Sequence, residues 1–273
     1  MPWWVGLALP LLAFVLTVLG FELAVSLRAA AHGLTTADAA RQVRLDHLNL
    51  AALQAAGFGL AIVVGLALFQ GPGGTAKALL VTPLRFPVAL LCVIAGMAVQ
   101  FPLAELANLV HAVFPVSAEE MLLQQRLVTP TGPWQALAAV LAIVVVAATT
   151  EEILFRGLLL PRLSDRYGTR FALGLTALAF GLVHVEPGAV VVATLAGLAL
   201  GWVTLRTGSS LAAVALHGAV NALPLMLPLH VVRIPGFNTV GEGVYHLPVS
   251  LLFVTGVVAT GAFLGIAKLT PTD

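Results

Sequence analysis

Long stretches without a charged side chain dominate this sequence. Taking every Asp, Glu, Lys and Arg as a boundary leaves eight such windows, at residues 1–21, 48–76, 86–104, 127–150, 171–185, 187–205, 207–232 and 243–267. Most of them reach the roughly 20 residues that cross a hydrocarbon core. They show no alternation of polar and apolar positions, so they predict helices and not barrel strands. The pattern therefore predicts an all-α polytopic membrane protein of about eight transmembrane helices, forming a single transmembrane domain over residues 1–273.

Two mixed polar and apolar segments predict short helices outside these windows. Thr35 followed by Asp38, and Ser117 followed by Glu120, both have the spacing of a capping box, which opens a helix. We therefore predict helices around 35–48 and 117–128 that lie in the membrane interface. Their role is either packing alone or a rim that controls lateral access to the bundle.

The composition supports lipid as the surrounding solvent. Apolar residues make up 60% of the chain and charged residues only 9%, against roughly 45–50% and 25% in soluble domains. This excludes a water-exposed globular protein. The 13 basic and 12 acidic residues give a net charge of +1, which offers no basic field for nucleic acid. A single cysteine, Cys92, excludes an internal disulfide and a multi-cysteine metal site.

The basic residues give a predicted orientation. Eight crossings place both termini on one side, with seven Lys and Arg residues there and five on the opposite side. The positive-inside rule then predicts both termini in the cytoplasm. The first window lacks the basic flank of a signal peptide, so we expect it to remain as a helix. The abundance of Ala, Leu, Val and Gly is typical of a bacterial inner-membrane protein.

A few charged residues fall inside a predicted span and are candidates for function. Glu151, Glu152 and Arg156 follow the window 127–150, yet the chain stays apolar through Leu160. A charge at bilayer depth costs roughly 2.5–3.5 kcal/mol on insertion scales, so such residues usually face the bundle interior. Glu152 and Arg156 are four residues apart and are expected to pair on one helix face. Glu151 has no such local partner.

Two histidines and an asparagine are predicted at a similar depth on other spans. At 1.5 Å per residue, His184 and His217 lie about as far from the loops as the two glutamates. Asn221 follows His217 by four residues and shares its face. A lone membrane histidine is usually a packing residue, but the common depth favours a shared site. The other histidines lie near window ends and are interpreted as interfacial: His32, His47, His111, His230 and His246.

These side chains are sufficient for hydrolysis of an amide by water. A desolvated carboxylate can take a proton from water, and a histidine can pass it to the leaving amine. A second histidine and a carboxamide can stabilise an oxyanion. A covalent nucleophile is not supported, because G-x-S-x-G is absent. Zinc held by two histidines and a glutamate stays possible, although H-E-x-x-H is missing. A transporter or proton relay, or a non-catalytic immunity or binding protein, is the alternative.

Three motifs in the second half of the chain resemble those of a known family. Residues 151–156 match EExxxR, residues 180–184 match FxxxH and residues 217–221 match HxxxN. In this order, on separate spans, they resemble the CPBP intramembrane proteases, also called the Abi or CAAX-protease family. The resemblance covers roughly residues 134–225, which we interpret as the protease core.

The resemblance implies a fold of eight helices around an intramembrane cavity. It implies cleavage of a peptide bond in a membrane-embedded or membrane-associated protein or peptide, and we expect this near the cytoplasmic side of the bilayer. In the roles that it implies, Glu151 activates water with the help of His184, and His217 and Asn221 stabilise the oxyanion.

The remaining motif residues, Glu152 and Arg156, match supporting positions of that family. The family has been described both as metal-independent glutamic proteases and as zinc metalloproteases. We favour no metal, because recognised zinc spacing is absent. In the zinc interpretation the ligands would be Glu151, His184 and His217.

Overall fold

The computed structural model describes residues 1–69, 74–239 and 245–270. The regular secondary structure of these residues is helical throughout, which confirms the all-α prediction. The helices are α1 (Val5–His32), α2 (Thr36–Leu45), α3 (His47–Phe69), α4 (Gly74–Ala78), α5 (Phe86–Val113), α6 (Ala118–Leu127), α7 (Pro133–Tyr167), α8 (Thr169–Leu182), α9 (Pro187–Thr207), α10 (Ser210–Met226) and α11 (Val249–Leu269).

Among the described residues, six helices are long and apolar enough to cross a membrane, which confirms a polytopic membrane protein. They are α1, α3, α5, α7, α9 and α11. The fifth and seventh predicted spans form shorter apolar helices, α8 with 14 residues and α10 with 17. At 1.5 Å per residue α8 rises only about 21 Å, less than a hydrocarbon core of about 30 Å. The uncharged window 171–185 extends past the end of α8, because its residues after Leu182 form a turn.

The helix that carries the EExxxR motif, α7, is continuous over 35 residues. Glu151, Glu152 and Arg156 lie within it, as predicted. Two stretches of α7, Val140–Ala147 and Ile153–Leu159, are π-helical and flank the short α-helical turn that holds both glutamates. π-Helical turns are rare and frequently occur at functional sites. Neither stretch was predicted from the sequence to be π-helical.

Both predicted capping boxes are present at the ends where they were expected. The Thr35 hydroxyl accepts a hydrogen bond from the Asp38 N–H at 3.1 Å and begins α2. The Ser117 hydroxyl accepts from the Glu120 N–H at 3.2 Å and begins α6. These two helices are joined by the exposed ion pairs Arg41–Glu119 at 2.5 Å and Arg44–Glu120 at 3.0 Å.

Loop contacts define two ends of the helix bundle. At the terminal end, the Trp3 N–H donates to the Tyr167 hydroxyl at 3.2 Å and Arg206 donates to the Ala267 carbonyl at 2.7 Å. At the opposite end, called here the α6 end, a ring nitrogen of His47 lies 2.9 Å from the Leu127 carbonyl oxygen. Successive apolar helices therefore run in opposite directions between these two ends, as expected for a membrane bundle.

The second half of α7 occupies the centre of the bundle. Every residue from Leu154 to Leu160 is buried there. By contrast, Leu19 on α1 and Phe253 on α11 are 60% and 71% exposed. Large apolar side chains on the outside of peripheral helices fit contact with lipid. The motif-bearing helix is therefore held in a rigid frame of neighbouring helices, which fixes the site.

Candidate active site

A fully buried ion pair lies at the centre of the site. The side chains of Glu152 and Arg156 are both 0% exposed, and their charged atoms are 2.9 Å apart. This confirms the predicted pairing across one helical turn. A ring nitrogen of His217, Nδ1, lies 2.8 Å from the same carboxylate. Buried charges are tolerated when paired and hydrogen-bonded. Oε1 of Glu152 has two hydrogen-bond partners from two helices, whereas its Oε2 is buried without a hydrogen bond from the described residues.

The guanidinium of Arg156 is held by two further groups. Its Nη2 donates to the Gly197 carbonyl at 3.1 Å, and its Cζ lies 4.4 Å from the ring centroid of Phe180. A β-carbon at Gly197 would lie 3.0 Å from the Ala177 backbone and 3.1 Å from Nη2. Glycine at position 197 therefore allows α9 to approach both α8 and the arginine without these tight contacts.

A chamber of about 440 Å³ lies beside this ion pair. Its wall is largely apolar and is built mainly from α5, α8, α9 and α10. The polar side chains in its lining are Gln100, His184, His217 and Asn221. Three of the four residues for which the resemblance implied direct roles therefore line one cavity.

The chamber residue His217 presents one ring nitrogen to this cavity. Its Nδ1 is bonded to Glu152, which leaves Nε2 for a ligand in the chamber. The Asn221 amide nitrogen donates one hydrogen bond to the Ile143 carbonyl at 2.9 Å and retains a second N–H. Both side chains are thus oriented by α7, His217 through Glu152 and Asn221 through Ile143.

The second imidazole, His184, lies just beyond the end of α8 and is exposed at the chamber wall. Its Nδ1 lies 2.8 Å from the Phe180 carbonyl oxygen. Because a carbonyl only accepts hydrogen bonds, Nδ1 carries the proton, and Nε2 of the neutral ring is a free base. The Phe180 ring packs edge-on against both imidazoles, with centroid distances of 5.1 Å to His184 and 5.8 Å to His217. The motif contained Phe180, but its spacing gave no sign of this bridging position.

The carboxylate of Glu151 has a different environment from that of Glu152. It is partly exposed and accepts a hydrogen bond from Gln54 on α3 at 2.9 Å. Glu151 is not among the residues that line the chamber, and its carboxylate faces α3 instead. Gln54 was not predicted as a site residue, because it is uncharged and lies within the uncharged window 48–76. A carboxamide in an otherwise apolar span was the available signal.

The proposed zinc ligands do not form a metal site. Over residues 1–69, 74–239 and 245–270, no three His, Cys, Asp or Glu side chains are arranged to hold a metal ion. Glu151 is bonded to α3, whereas His184 and His217 face the chamber. A zinc site requires three or four such donors about 2 Å from one point. The described residues do not fit zinc, and we derive no step through it.

The chamber lies in the half of the bundle nearer the α6 end. Most of its lining on α5 and α10 comes from their C-terminal halves, and most of its lining on α9 comes from the N-terminal half. The remaining lining residues of these helices lie close to the helix midpoints, namely Val99, Ala199, Leu200, Leu216 and His217. Both termini belong to the opposite end. The side of the membrane on which the termini lie and the side near which cleavage occurs both stay predictions. The orientation rested on only seven basic residues against five, and spacing alone did not show which half of α7 faces a cavity.

Comparison with known proteins bears on the part of the chain that builds this site. Residues 133–223 match the family model described as Type II CAAX prenyl endopeptidase Rce1-like. No curated protein and no solved structure matches the chain. The matched residues run from the start of α7 into α10 and contain all three motifs. Residues 133–223, a third of the chain, therefore form a type II CAAX prenyl endopeptidase Rce1-like (CPBP) domain.

Proposed function

We propose that this protein is an intramembrane endopeptidase that hydrolyses a peptide bond of a membrane-embedded or membrane-associated protein or peptide with activated water and without a metal. The observation that carries the proposal is the apolar chamber into which His184, His217 and Asn221 project. Ligand sites are typically apolar cavities with a few convergent polar groups. In this proposal α8 and α10 complete eight crossings in a bacterial cell membrane.

The water-activating groups in this proposal are Glu151 and His184. Within the described residues the Glu151 carboxylate is bonded to Gln54 alone, so its second oxygen remains available to water. Hydrogen bonds to a catalytic base are often long in a ligand-free enzyme and form only with substrate present. Glu151 takes a proton from the attacking water, and the leaving amine is protonated through His184. General acid–base steps of this kind contribute about 10²- to 10⁴-fold in rate.

The oxyanion of the tetrahedral intermediate is stabilised in this proposal by His217 and Asn221. As a donor, His217 carries a proton on Nε2, and the Glu152 carboxylate at Nδ1 balances the resulting positive charge. The second N–H of Asn221 is the other donor. Removing one such donor typically costs about 10²- to 10³-fold in rate. Glu152 and Arg156 support the site by holding the imidazole and do not touch substrate.

A proton relay is less well supported by the same contacts. A relay needs polar groups that continue across the membrane. The series from His217 through Glu152 ends at Arg156, whose Nη2 is bonded to the Gly197 carbonyl among buried apolar residues of α7. No observation on the described residues favours transport over hydrolysis, so endopeptidase activity is the stronger proposal.

Cleavage of a quenched-fluorescent peptide library by the purified protein tests this function. A prenylated CAAX peptide is tested as a second substrate, because the description of the matched family model names a CAAX prenyl endopeptidase. We expect library cleavage that survives treatment with a metal chelator. Loss of cleavage with chelator and its recovery on adding zinc would contradict the metal-independent mechanism. A folded protein that cleaves neither the library nor the prenylated peptide would contradict the endopeptidase proposal and favour a binding role.

A further inference from the structure

One polar residue of the chamber wall, Gln100, belongs to none of the three motifs. It lies on α5, outside the matched residues 133–223. Its side chain is partly buried and has no hydrogen-bond partner within the described part of the chain. Most polar groups in protein interiors are hydrogen-bonded. A free carboxamide in an apolar wall is therefore suited to a ligand.

Gln100 lies where two cavities meet. A second, more polar cavity extends from the chamber towards the α6 end, and both are lined by Gln100, Val128 and Pro224. Side chains of the second cavity include Asn108, Gln124 and Asn238. Gln100 therefore borders both cavities, and a substrate that extends from the second cavity to His184 and His217 would lie against it.

We propose that the Gln100 carboxamide binds the peptide backbone of the substrate beside the scissile bond. A carboxamide has one acceptor and two donors, so it can pair with both the N–H and the C=O of an extended peptide. Backbone groups that enter an apolar chamber lose water and need such partners. The interaction is independent of the substrate's side chains. This inference rests on the proposed endopeptidase function, because it assumes a peptide in the chamber.

Peptide binding by Gln100→Leu tests this subsite separately from catalysis. The probes are fluorescein-labelled peptides of the library, measured by anisotropy against the Glu151→Gln background, which binds without turnover. We expect the Kd of the tightest peptide to rise about 3- to 10-fold, the effect of one net hydrogen bond. Gln135→Leu is the matched control, since Gln135 is exposed at the start of α7 and bonds only Thr131.

A backbone interaction also predicts how ester analogues behave. Replacing one peptide N–H near the scissile bond by an ester oxygen should weaken binding when Gln100 is present and have no effect with Gln100→Leu. Equal Kd values with and without the Gln100→Leu change, or equal ester penalties in both proteins, would overturn the subsite. Failure of the enzyme proposal gives another result: wild-type protein binds the peptides with Gln100 dependence but does not cleave them.

A second, independent observation concerns the backbone next to His184. Val185 has φ of +64° and lies directly between His184 and Glu186. A β-branched residue rarely adopts this left-handed conformation, because its side chain clashes with the backbone. Among the described non-glycine residues only Leu80, with φ of +52°, shares a positive φ. Such strain persists where the surroundings enforce it and is concentrated at functional sites.

The surroundings of Val185 do enforce this conformation. The Glu186 N–H donates to the His184 carbonyl at 2.7 Å, and the Glu186 carboxylate accepts from the N–H groups of Gly188 and Ala189 at 2.8 and 2.7 Å. His111 on α5 lies 3.5 Å from the same carboxylate. Partial burial raises the pKa of Glu186, but these N–H groups and His111 outweigh it and hold the pKa below its usual value. Glu186 is therefore a charged cap that fixes the turn.

We infer that Val185 is a positioning residue, whose strained backbone directs the His184 ring into the chamber. Val185→Gly and Leu80→Gly form a matched pair, because glycine accepts a positive φ without strain at either position. Both variants should keep or raise the melting temperature. Only Val185→Gly should speed carbethoxylation of His184, measured by mass spectrometry with His32 as the internal reference, and lower kcat about 10-fold at constant KM. An unchanged rate of His184 modification in Val185→Gly would overturn this role, whether or not peptides are cleaved.

Discussion

Replacing Glu151 with glutamine is expected to abolish peptide hydrolysis without unfolding the protein. The change removes the carboxylate that takes a proton from water, and the loss of a general base typically costs at least about 10²- to 10⁴-fold in rate. The new carboxamide keeps the size of the glutamate side chain and can still accept the hydrogen bond from Gln54. Glu151 is partly exposed and has no ion-pair partner in the described part of the chain, so no buried charge is left behind. The measurements are kcat/KM on the library peptides and the melting temperature in detergent.

The neighbouring residue provides the matched comparison for Glu151. Glu152→Gln makes the same chemical change one position along α7, but it removes the charge that neutralises the fully buried Arg156. We expect this variant to lose thermal stability as well as activity. A folded Glu152→Gln variant without activity, beside an active Glu151→Gln variant, would contradict the assignment. The base would then be the Glu152–His217 pair.

Much of the architecture could be predicted because membrane insertion acts on stretches of chain. Each uncharged window contains most of one apolar helix, and the two capping boxes begin α2 and α6 as expected. The length of α8 was overestimated, because a lipid-compatible sequence such as residues 183–185 can form a turn instead of a helix. The absence of charge is necessary for a buried span and does not specify the backbone. The π-helical turns of α7 have the same explanation, since they leave the hydropathy unchanged.

The site was predictable only where a local spacing fixed the geometry. The i,i+4 spacing was enough to predict the ion pair between Glu152 and Arg156. The same spacing predicted that Asn221 shares a helix face with His217, and both residues line the chamber. This spacing could not show that His217 bonds Glu152 while Glu151 bonds Gln54. Those contacts depend on how α3 and α10 pack against α7, which is a property of the whole bundle. Gln54 and Gln100 were not predicted either. Burial of a carboxamide costs less free energy than burial of a charge, so its position in an apolar span is a weaker signal of function.

Replacing Arg156 with methionine is expected to cause the largest loss of stability. Methionine fills most of the volume, but Glu152 would remain 0% exposed with only His217 to balance its charge. Breaking a buried ion pair on one side costs about 3–5 kcal/mol in the free energy of unfolding. The carbonyl of Gly197 would also lose its donor. Thermal or denaturant unfolding in detergent measures this effect, with Arg41→Met as the control, since the exposed Arg41–Glu119 pair is worth about 0–1 kcal/mol.

The double variant Glu152→Met with Arg156→Met separates the buried charge from the loss of packing. Replacing both partners of a buried pair by apolar residues is often neutral or stabilising, so the double variant should be more stable than Arg156→Met alone. Its activity should stay low, because His217 loses the carboxylate that orients Nδ1. If Arg156→Met unfolds as easily as the double variant, the penalty arises from shape and not from an unpaired carboxylate. Recovery of stability without activity would instead mean that the ion pair is retained because it holds the imidazole at the chamber.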